Sequence, residues 1–182
     1  VALILDSGKS RGLADSKYNE RRAACEEGVR ILSGALPGIR ALRDVSETQF
    51  EEFSRLLPDV VKKRCRHVVT ENQRTLDSMQ ALLKGDMERF GALMFASHDS
   101  LRFDYEVSCD ELDVLNELAE ESPAVIGERM TGAGFGGCAV ALARRDGLED
   151  LKAYLSEEYF KKTGRRLKIY ETSPARGAAI VD

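Results

Sequence analysis

The seven residues from Gly132 to Cys138 read Gly-Ala-Gly-Phe-Gly-Gly-Cys, and their composition suggests chemistry more directly than any other stretch of the chain. Four glycines within six positions remove Cβ atoms, permit positive φ angles and let backbone N–H groups approach an anion or another backbone closely. Such a loop suits phosphate binding, and it equally suits a hairpin with tight backbone packing. The loop alone leaves both interpretations open.

The residues around this loop exclude three familiar phosphate-binding motifs. The string Gly132-x-Gly134-x-x-Gly137 matches the dinucleotide fingerprint, but that motif needs a helix after the glycines, whereas the apolar run Cys138–Ala143 predicts a strand. A protein-kinase loop requires Val-Ala-Ile-Lys, His-Arg-Asp and Asp-Phe-Gly elsewhere, and a Walker loop ends in Gly-Lys-Ser/Thr; the sequence contains none of these. Since Val125–Thr131 also reads as a strand, the context is strand, glycine loop, strand.

A Ser-His-Asp triplet at 97–99 suggests hydrolytic chemistry at first sight. Neighbours in sequence project in different directions, however, whereas a catalytic triad needs side chains that converge, and no nucleophile elbow is present. Hydrolysis is therefore disfavoured.

The cysteines and histidines do not form a metal-binding pattern. The four cysteines are widely spaced without a Cys-x-x-Cys pair, and His67 and His98 are the only histidines, which disfavours a zinc site. Reduced, partly buried thiols in a cytoplasmic protein are the expectation. The cysteines are Cys25, Cys65, Cys109 and Cys138.

Length and charge narrow the class of protein. The 182 residues, 43% of them hydrophobic, suffice for a packed core. With 31 acidic and 27 basic residues, the net charge of −4 argues against nucleic acid or anionic lipid as a partner. Apolar runs are far shorter than the ~20 residues that span a bilayer. We expect a globular protein without a membrane segment.

The spacing of apolar residues and the capping, proline and glycine residues between them predict the helices and strands that position the loop. A helix should start at the candidate N-caps Asp15 and Ser16 and stop at Gly34, and a capping box of Ser108 and Glu111 should open another. Further helices are predicted over 46–53, 59–84 (ended by Gly85), from Asp86 to about Ser97, and over 146–162. Strands are predicted at 1–5, 125–131, 138–143, 167–172 and 177–181.

From Ser108 onward, the predicted order is helix, strand, strand, helix, strand, strand. This order indicates an α+β fold with an antiparallel sheet of about four strands, covered by helices on one face, and a more helical first half wrapped around it. In the long helix 59–84, an apolar stripe keeps near-heptad spacing, and His67 lies off it, facing solvent or a helix contact. One compact unit over 1–182 is expected.

The longer string Arg129-Met-Thr-Gly-Ala-Gly-Phe-Gly-Gly-Cys138 resembles the third motif of galactokinases, in the superfamily of galacto-, homoserine, mevalonate and phosphomevalonate kinases. The segment Leu13–Arg22 resembles the one in which a tyrosine, here Tyr18, touches the sugar. From residues alone, Tyr18 reads as a first-turn aromatic that packs on the core and hydrogen-bonds its hydroxyl at the rim. Ser97–Asp113 also resembles a galactokinase segment, with departures at Phe103 and Asp110.

The resemblance covers only the C-terminal half of a galactokinase, and it implies a ferredoxin-like C-terminal domain over 1–182, in which strand 1–5 can pair with the preceding domain. It implies ATP-dependent phosphorylation of the anomeric hydroxyl of galactose in the cytoplasm. ATP and Mg²⁺ would be held mainly by the N-terminal kinase domain, which also supplies the catalytic acid, so no catalytic or metal-binding residue is assigned within this chain. The implied site residues are Tyr18 and the loop Gly132, Ala133, Gly134, Phe135, Gly136 and Gly137.

Two alternatives stay open beside this function. One is a sister kinase acting on galacturonate or N-acetylgalactosamine, which the sugar signature of the N-terminal half would distinguish, and the other is a non-catalytic sensor of galactose and ATP, a class that exists among galactokinase relatives. A small-molecule-binding regulatory module of ferredoxin-like type explains the glycine loop less well. The isolated chain is expected to lack kinase activity.

Overall fold

The computed structural model describes residues 1–10, 14–173, 175 and 177, with residues 14–16 described by their backbone only. The elements in chain order are β1 (Ala2–Asp6), α1 (Ala14–Leu32), α2 (Glu47–Phe53), α3 (Asp59–Lys84), α4 (Met87–Ser100), α5 (Asp110–Glu121), β2 (Val125–Met130), β3 (Cys138–Ala143), α6 (Leu148–Thr163) and β4 (Lys168–Thr172). A π-helical turn, Leu101–Tyr105, follows α4. The α+β class and the four-stranded antiparallel sheet are confirmed.

The sheet has the strand order β2-β3-β1-β4, and every pair is antiparallel. Leu3 of β1 lies opposite Ala141 of β3 on one side and opposite Glu171 of β4 on the other. Because both hydrogen-bonding edges of β1 are used within this chain, the expectation that strand 1–5 pairs with a preceding domain is wrong. The predicted strand 177–181 lies outside the described residues except for Gly177, and the fourth strand of the observed sheet is β1.

One face of the sheet is buried under α5 and α6. Strand alternation places Leu3, Leu5, Met130 and the alanines of β3 on this face, fully or almost fully buried. The small alanines leave room for the large side chains of the two helices to reach the sheet. Those helical residues are Leu112, Leu115, Leu118, Leu151, Leu155 and Tyr159.

The helical half joins the sheet where α4 crosses β2 at backbone contact. A Cβ at Gly91 would lie 1.7 Å from the carbonyl oxygen of Ile126, and a Cβ at Gly127 would lie 2.5 Å from Cα of Gly91. No side chain separates the helix from the strand, so α4 is held against the strand that leads into the glycine loop.

The long helix α3 has the predicted bounds, and Gly85 ends it in the left-handed conformation with φ 71°. Its apolar stripe is buried only in the first half, where Cys65 packs in a second core between α1, α2 and α3. In the second half, Leu76 and Leu83 are 54% and 74% exposed. His67 is buried at a helix contact, where its ring stacks on Tyr105 at 4.6 Å.

Two predicted caps are wrong. Helix α1 already includes Ala14, so Asp15 and Ser16 lie inside it. Cys109 is the N-cap of α5 and makes no side-chain cap bond. The hydroxyl of Ser108 instead donates to Asp113, and the Glu111 carboxylate pairs with Lys9 at 2.6 Å and with Arg165 at 3.0 Å.

Candidate functional site

The glycine loop is the hairpin connection between β2 and β3. The N–H of Thr131 donates to the carbonyl of Cys138 at 2.9 Å and closes the hairpin. Gly132, Gly134, Gly136, Gly137 and also Phe135 all have positive φ angles, from 60° to 128°. Left-handed angles in such a run favour glycine strongly, because Cβ would crowd the following carbonyl.

The inner glycines of this loop pack against two other segments of the same chain. Phe135 N–H donates to Val107 O at 2.8 Å, and a Cβ at Gly134 would lie only 2.1 Å from that oxygen. Gly137 N–H donates to Lys9 O at 3.0 Å, and a Cβ at Gly136 would lie 2.8 Å from it. Gly134 and Gly136 are therefore required by contacts inside this chain.

The outer part of the loop has a different character. Thr131, Gly132 and Ala133 are exposed. Within the described residues, no acceptor receives the N–H of Gly132 or Ala133. Two adjacent exposed donors at a tight turn suit an anionic oxygen. Thus the tip is the part of the loop that is free to contact a ligand or another domain.

Tyr18 lies in the second turn of α1 and is 56% exposed. About half of the Tyr18 side chain is therefore accessible to a ligand or to another domain. One turn later on the same helix, Arg21 donates from Nε to Tyr105 O at 2.6 Å and from Nη2 to Glu106 O at 2.8 Å. Those carbonyls immediately precede Val107, which accepts the loop's Phe135 N–H. The segment Tyr105–Val107 thereby connects the helix of Tyr18 to the glycine loop.

A second arginine fixes the same segment from α3. The buried Arg64 donates to Asp104 O and to the Glu106 carboxylate, both at 2.5 Å. The hydrogen bond from Arg64 to the carboxylate lowers the pKa of Glu106 to about 2, and a hydrogen bond from Lys63 also lowers it. Glu106 has a left-handed backbone, with φ 53°. The galactokinase-like segments 13–22 and 97–113 include Arg21 and Glu106, but the sequence predicts no role for either residue and no burial of Arg64.

The Ser97-His98-Asp99 triplet does not converge, as the sequence predicts. The Ser97 hydroxyl donates to Glu71 at 2.5 Å. The fully buried His98 accepts the N–H of Met130 at Nδ1, at 3.1 Å, so its proton lies on Nε2, which faces Asp113 Oδ1 at 3.3 Å. Because Met130 ends β2, His98 fixes the base of the glycine loop.

Burial opposes ionisation of Asp113, but hydrogen bonds from His98 and Ser108 outweigh it and lower the pKa of this carboxyl. The pKa of the neighbouring Glu128, which is fully buried on β2, shifts in the opposite direction. Burial raises the pKa of Glu128 to about 7, against the opposing influence of His98 and of a hydrogen bond from Asn116. Among the described residues, its Oε1 atom finds no hydrogen-bond partner.

Two cavities lie beside these elements without including Tyr18 or the loop. One, of about 510 Å³, lies between α1 and α3 and is lined by Arg22, Cys25, Val29 and Val68 among others. The other, of about 360 Å³, lies between α3, α4 and β3, next to the ion pair of Arg129 with Glu71. Neither is the predicted sugar site.

Across residues 1–10 and 14–173, no three His, Cys, Asp or Glu side chains cluster closely enough to hold a metal ion. In the same part of the chain, none of the helices is both long and apolar enough to cross a bilayer.

Residues 78–162 match the family model described as GHMP kinases C terminal. Over these residues the chain is similar to the C-terminal region of GHMP kinases. The chain as a whole is similar to galactokinases, which confirms the resemblance of its motifs. It is 47% identical to a galactokinase of Levilactobacillus brevis over 98% of this chain and 46% of that protein, and 45% identical to one of Chloroflexus aurantiacus over 98% and 46%.

A solved structure shows the same similarity. The crystal structure of Lactococcus lactis galactokinase complexed with galactose superposes with a TM-score of 0.88, at 38% identity, over 93% of this chain and 44% of that one. The chain thus spans a little under half the length of the relatives that it matches.

Proposed function

We propose that this chain is the C-terminal portion, over residues 1–182, of an ATP-dependent galactokinase that transfers the γ-phosphoryl group of ATP to the anomeric hydroxyl of galactose. The observation that carries the proposal is the similarity over 93% of the chain to a galactokinase complexed with galactose. The link from Tyr18 to the glycine loop through Tyr105–Val107 supports it, because hydrogen bonds connect both the helix of Tyr18 and the loop to this one segment.

Each element has a distinct role in this proposal. Tyr18, exposed on α1, contacts the sugar. The exposed N–H groups of Gly132 and Ala133 face the phosphate-binding part of the active site, where donors stabilise charge on the transferring group. ATP and Mg²⁺ are held mainly by the N-terminal kinase domain, and the metal supplies charge neutralisation on the phosphate oxygens. No residue of this chain acts as the base.

A cytoplasmic location is part of the same proposal. Cys25, Cys65 and Cys109 are thiols. Burial raises the pKa of Cys65 to about 12, which keeps it protonated and unreactive.

The decisive experiment uses the full-length protein that contains this chain. Galactose-dependent release of ADP should be measured beside galacturonate and N-acetylgalactosamine. The proposal expects turnover with galactose and background release from residues 1–182 alone. Preference for either other sugar would assign a sister kinase, and binding of galactose and ATP without turnover would assign a sensor.

Tyr18→Phe tests the sugar contact. If the hydroxyl bonds to galactose, the KM for galactose should rise by roughly twofold to twelvefold, the equivalent of one neutral hydrogen bond of ~0.5–1.5 kcal/mol. Tyr170→Phe is the matched control, because Tyr170 is similarly exposed, at 52%, but lies on β4. An unchanged KM in Tyr18→Phe would remove Tyr18 from the site.

A further inference from the structure

The side chain of Arg21 is much less exposed than that of another arginine on α1, Arg30. Its side chain is 12% exposed, whereas that of Arg30, on the same helix, is 71% exposed and pairs with Glu27. Burial lowers the pKa of Arg21, and the nearby charge of Arg64 lowers it further. The nearest acid, Glu20, is 3.4 Å away and largely exposed. A cation is costly in such surroundings unless its hydrogen bonds are well used.

The two shorter hydrogen bonds of Arg21 go to backbone carbonyls, and a third, from Nη1 to the Glu20 carboxylate, is 3.4 Å long. The two shorter bonds end on consecutive residues, Tyr105 and Glu106, at 2.6 and 2.8 Å. A planar guanidinium with a fixed fork can hold two such oxygens at once and thereby fix their orientation. Arg64 of α3 also donates hydrogen bonds to this turn, so arginines from α1 and α3 together hold residues 104–106, an arrangement called the clamp below.

The clamped segment then sets the position of the loop. Val107, the next residue, donates its N–H to Leu101 O at 3.0 Å and accepts from Phe135 N–H at 2.8 Å. Because a Cβ at Gly134 would meet this same carbonyl at 2.1 Å, the loop follows any displacement of Val107. At the other end, Tyr18 lies three residues before Arg21 and moves with α1.

We propose that Arg21 is a positioning residue for phosphoryl transfer: it fixes the distance between the sugar-contacting face of α1 and the tip of the glycine loop. This inference rests on the proposed function. Arg21 acts through Tyr105–Val107 and touches neither substrate. Because a misplacement of about 1 Å at a reacting centre can cost on the order of 100-fold in rate, loss of the clamp should appear mainly in kcat.

The test uses three variants of the full-length protein. Arg21→Met keeps the side-chain length and removes every donor of the guanidinium, and Arg21→Lys keeps the charge but cannot hold two carbonyls in a fixed plane. Arg30→Met removes an exposed arginine from the same helix. We expect kcat to fall by roughly 100-fold in Arg21→Met and by a smaller factor in Arg21→Lys, with a change under about twofold in Arg30→Met.

Amide hydrogen exchange supplies a readout that does not depend on activity. The peptide covering residues 132–137 contains the Phe135 N–H, and its exchange should accelerate in Arg21→Met while a peptide from α6 stays unchanged. This measurement remains informative if the protein proves not to be a galactokinase. If Arg21→Met fails to fold, Arg21→Lys decides the question by the same two measurements.

Three results would overturn the inference. The first is a normal kcat in both Arg21 variants, and the second is an unchanged exchange rate in the loop. The third is uniform acceleration of exchange across the whole protein, because Arg21 would then support the fold in general and not the loop in particular.

Discussion

Glu128→Gln should stabilise the protein, and the gain should depend on pH. Burial raises the pKa of Glu128 from its ordinary 4.5 to about 7. The folded state therefore holds this proton more tightly than the unfolded state does, and its contribution to stability is complete below about pH 4.5. That contribution is lost as the pH rises from 4.5 through 7.

The size of the effect follows from those two pKa values. At 1.36 kcal/mol per pH unit, the interval from 4.5 to about 7 corresponds to at most about 3 kcal/mol in the free energy of unfolding. Glutamine has the same shape, carries no charge and can still accept the hydrogen bond from Asn116. The difference in stability between the variant and the original protein should thus grow by about 2–3 kcal/mol between pH 5 and pH 8.

Equilibrium urea unfolding at pH 5, 6, 7 and 8 measures this difference. Glu120→Gln is the control, since it removes the same charge from an exposed position of α5. If the difference between Glu128→Gln and the original protein is the same at every pH, then the pKa of the Glu128 carboxyl is the same in the folded and unfolded states, and the reasoning from its burial is wrong.

Three further substitutions test the packing described above. Gly91→Ala should lower the free energy of unfolding by more than about 2 kcal/mol, because the new Cβ would meet Ile126 O at 1.7 Å, although alanine inside a helix ordinarily gains ~1 kcal/mol; a stabilised variant in urea unfolding would refute the contact. Gly134→Ala should lower the unfolding midpoint as well, since it combines φ 82° with a 2.1 Å approach to Val107 O; a normal midpoint with a large loss of kcat would instead favour a role at the active site. Asp86→Ala should cost about 1 kcal/mol by removing the acceptor of the Arg89 N–H at the start of α4, and no change in thermal midpoint would contradict the cap.

Local patterns predicted most elements of the fold, because proline and glycine residues mark clearly where those elements begin and end. Pro58 and Gly85 bracket α3, and the glycines between two apolar runs mark the hairpin of β2 and β3. The membership of the sheet was only partly predictable. The pairing of β1 between β3 and β4 is a long-range choice that short windows do not encode, so the sequence favoured 177–181 as the fourth strand.

The candidate site was likewise predicted only in part from the sequence. The loop and Tyr18 were found from their motifs, whereas the connection between them was not. Arg21 and Arg22 are adjacent and identical in type, and only the folded chain directs one to backbone carbonyls and the other to the exposed Glu26. Likewise, nothing in Val125–Met130 marks Glu128 as a residue buried beneath the sheet.

The central place of β1 has a consequence for how the chain acquires its fold during synthesis. Leu3 pairs with Ala141 and Glu171, so at ~5–20 residues per second the ribosome needs roughly 7–28 seconds after Leu3 before even its first partner exists. Until then, the apolar strand has no sheet to enter, and closing so long a loop is slow. β1 is thus synthesised before both of its partner strands, and deleting residues 1–6 would remove the strand that joins β3 to β4 in the middle of the sheet.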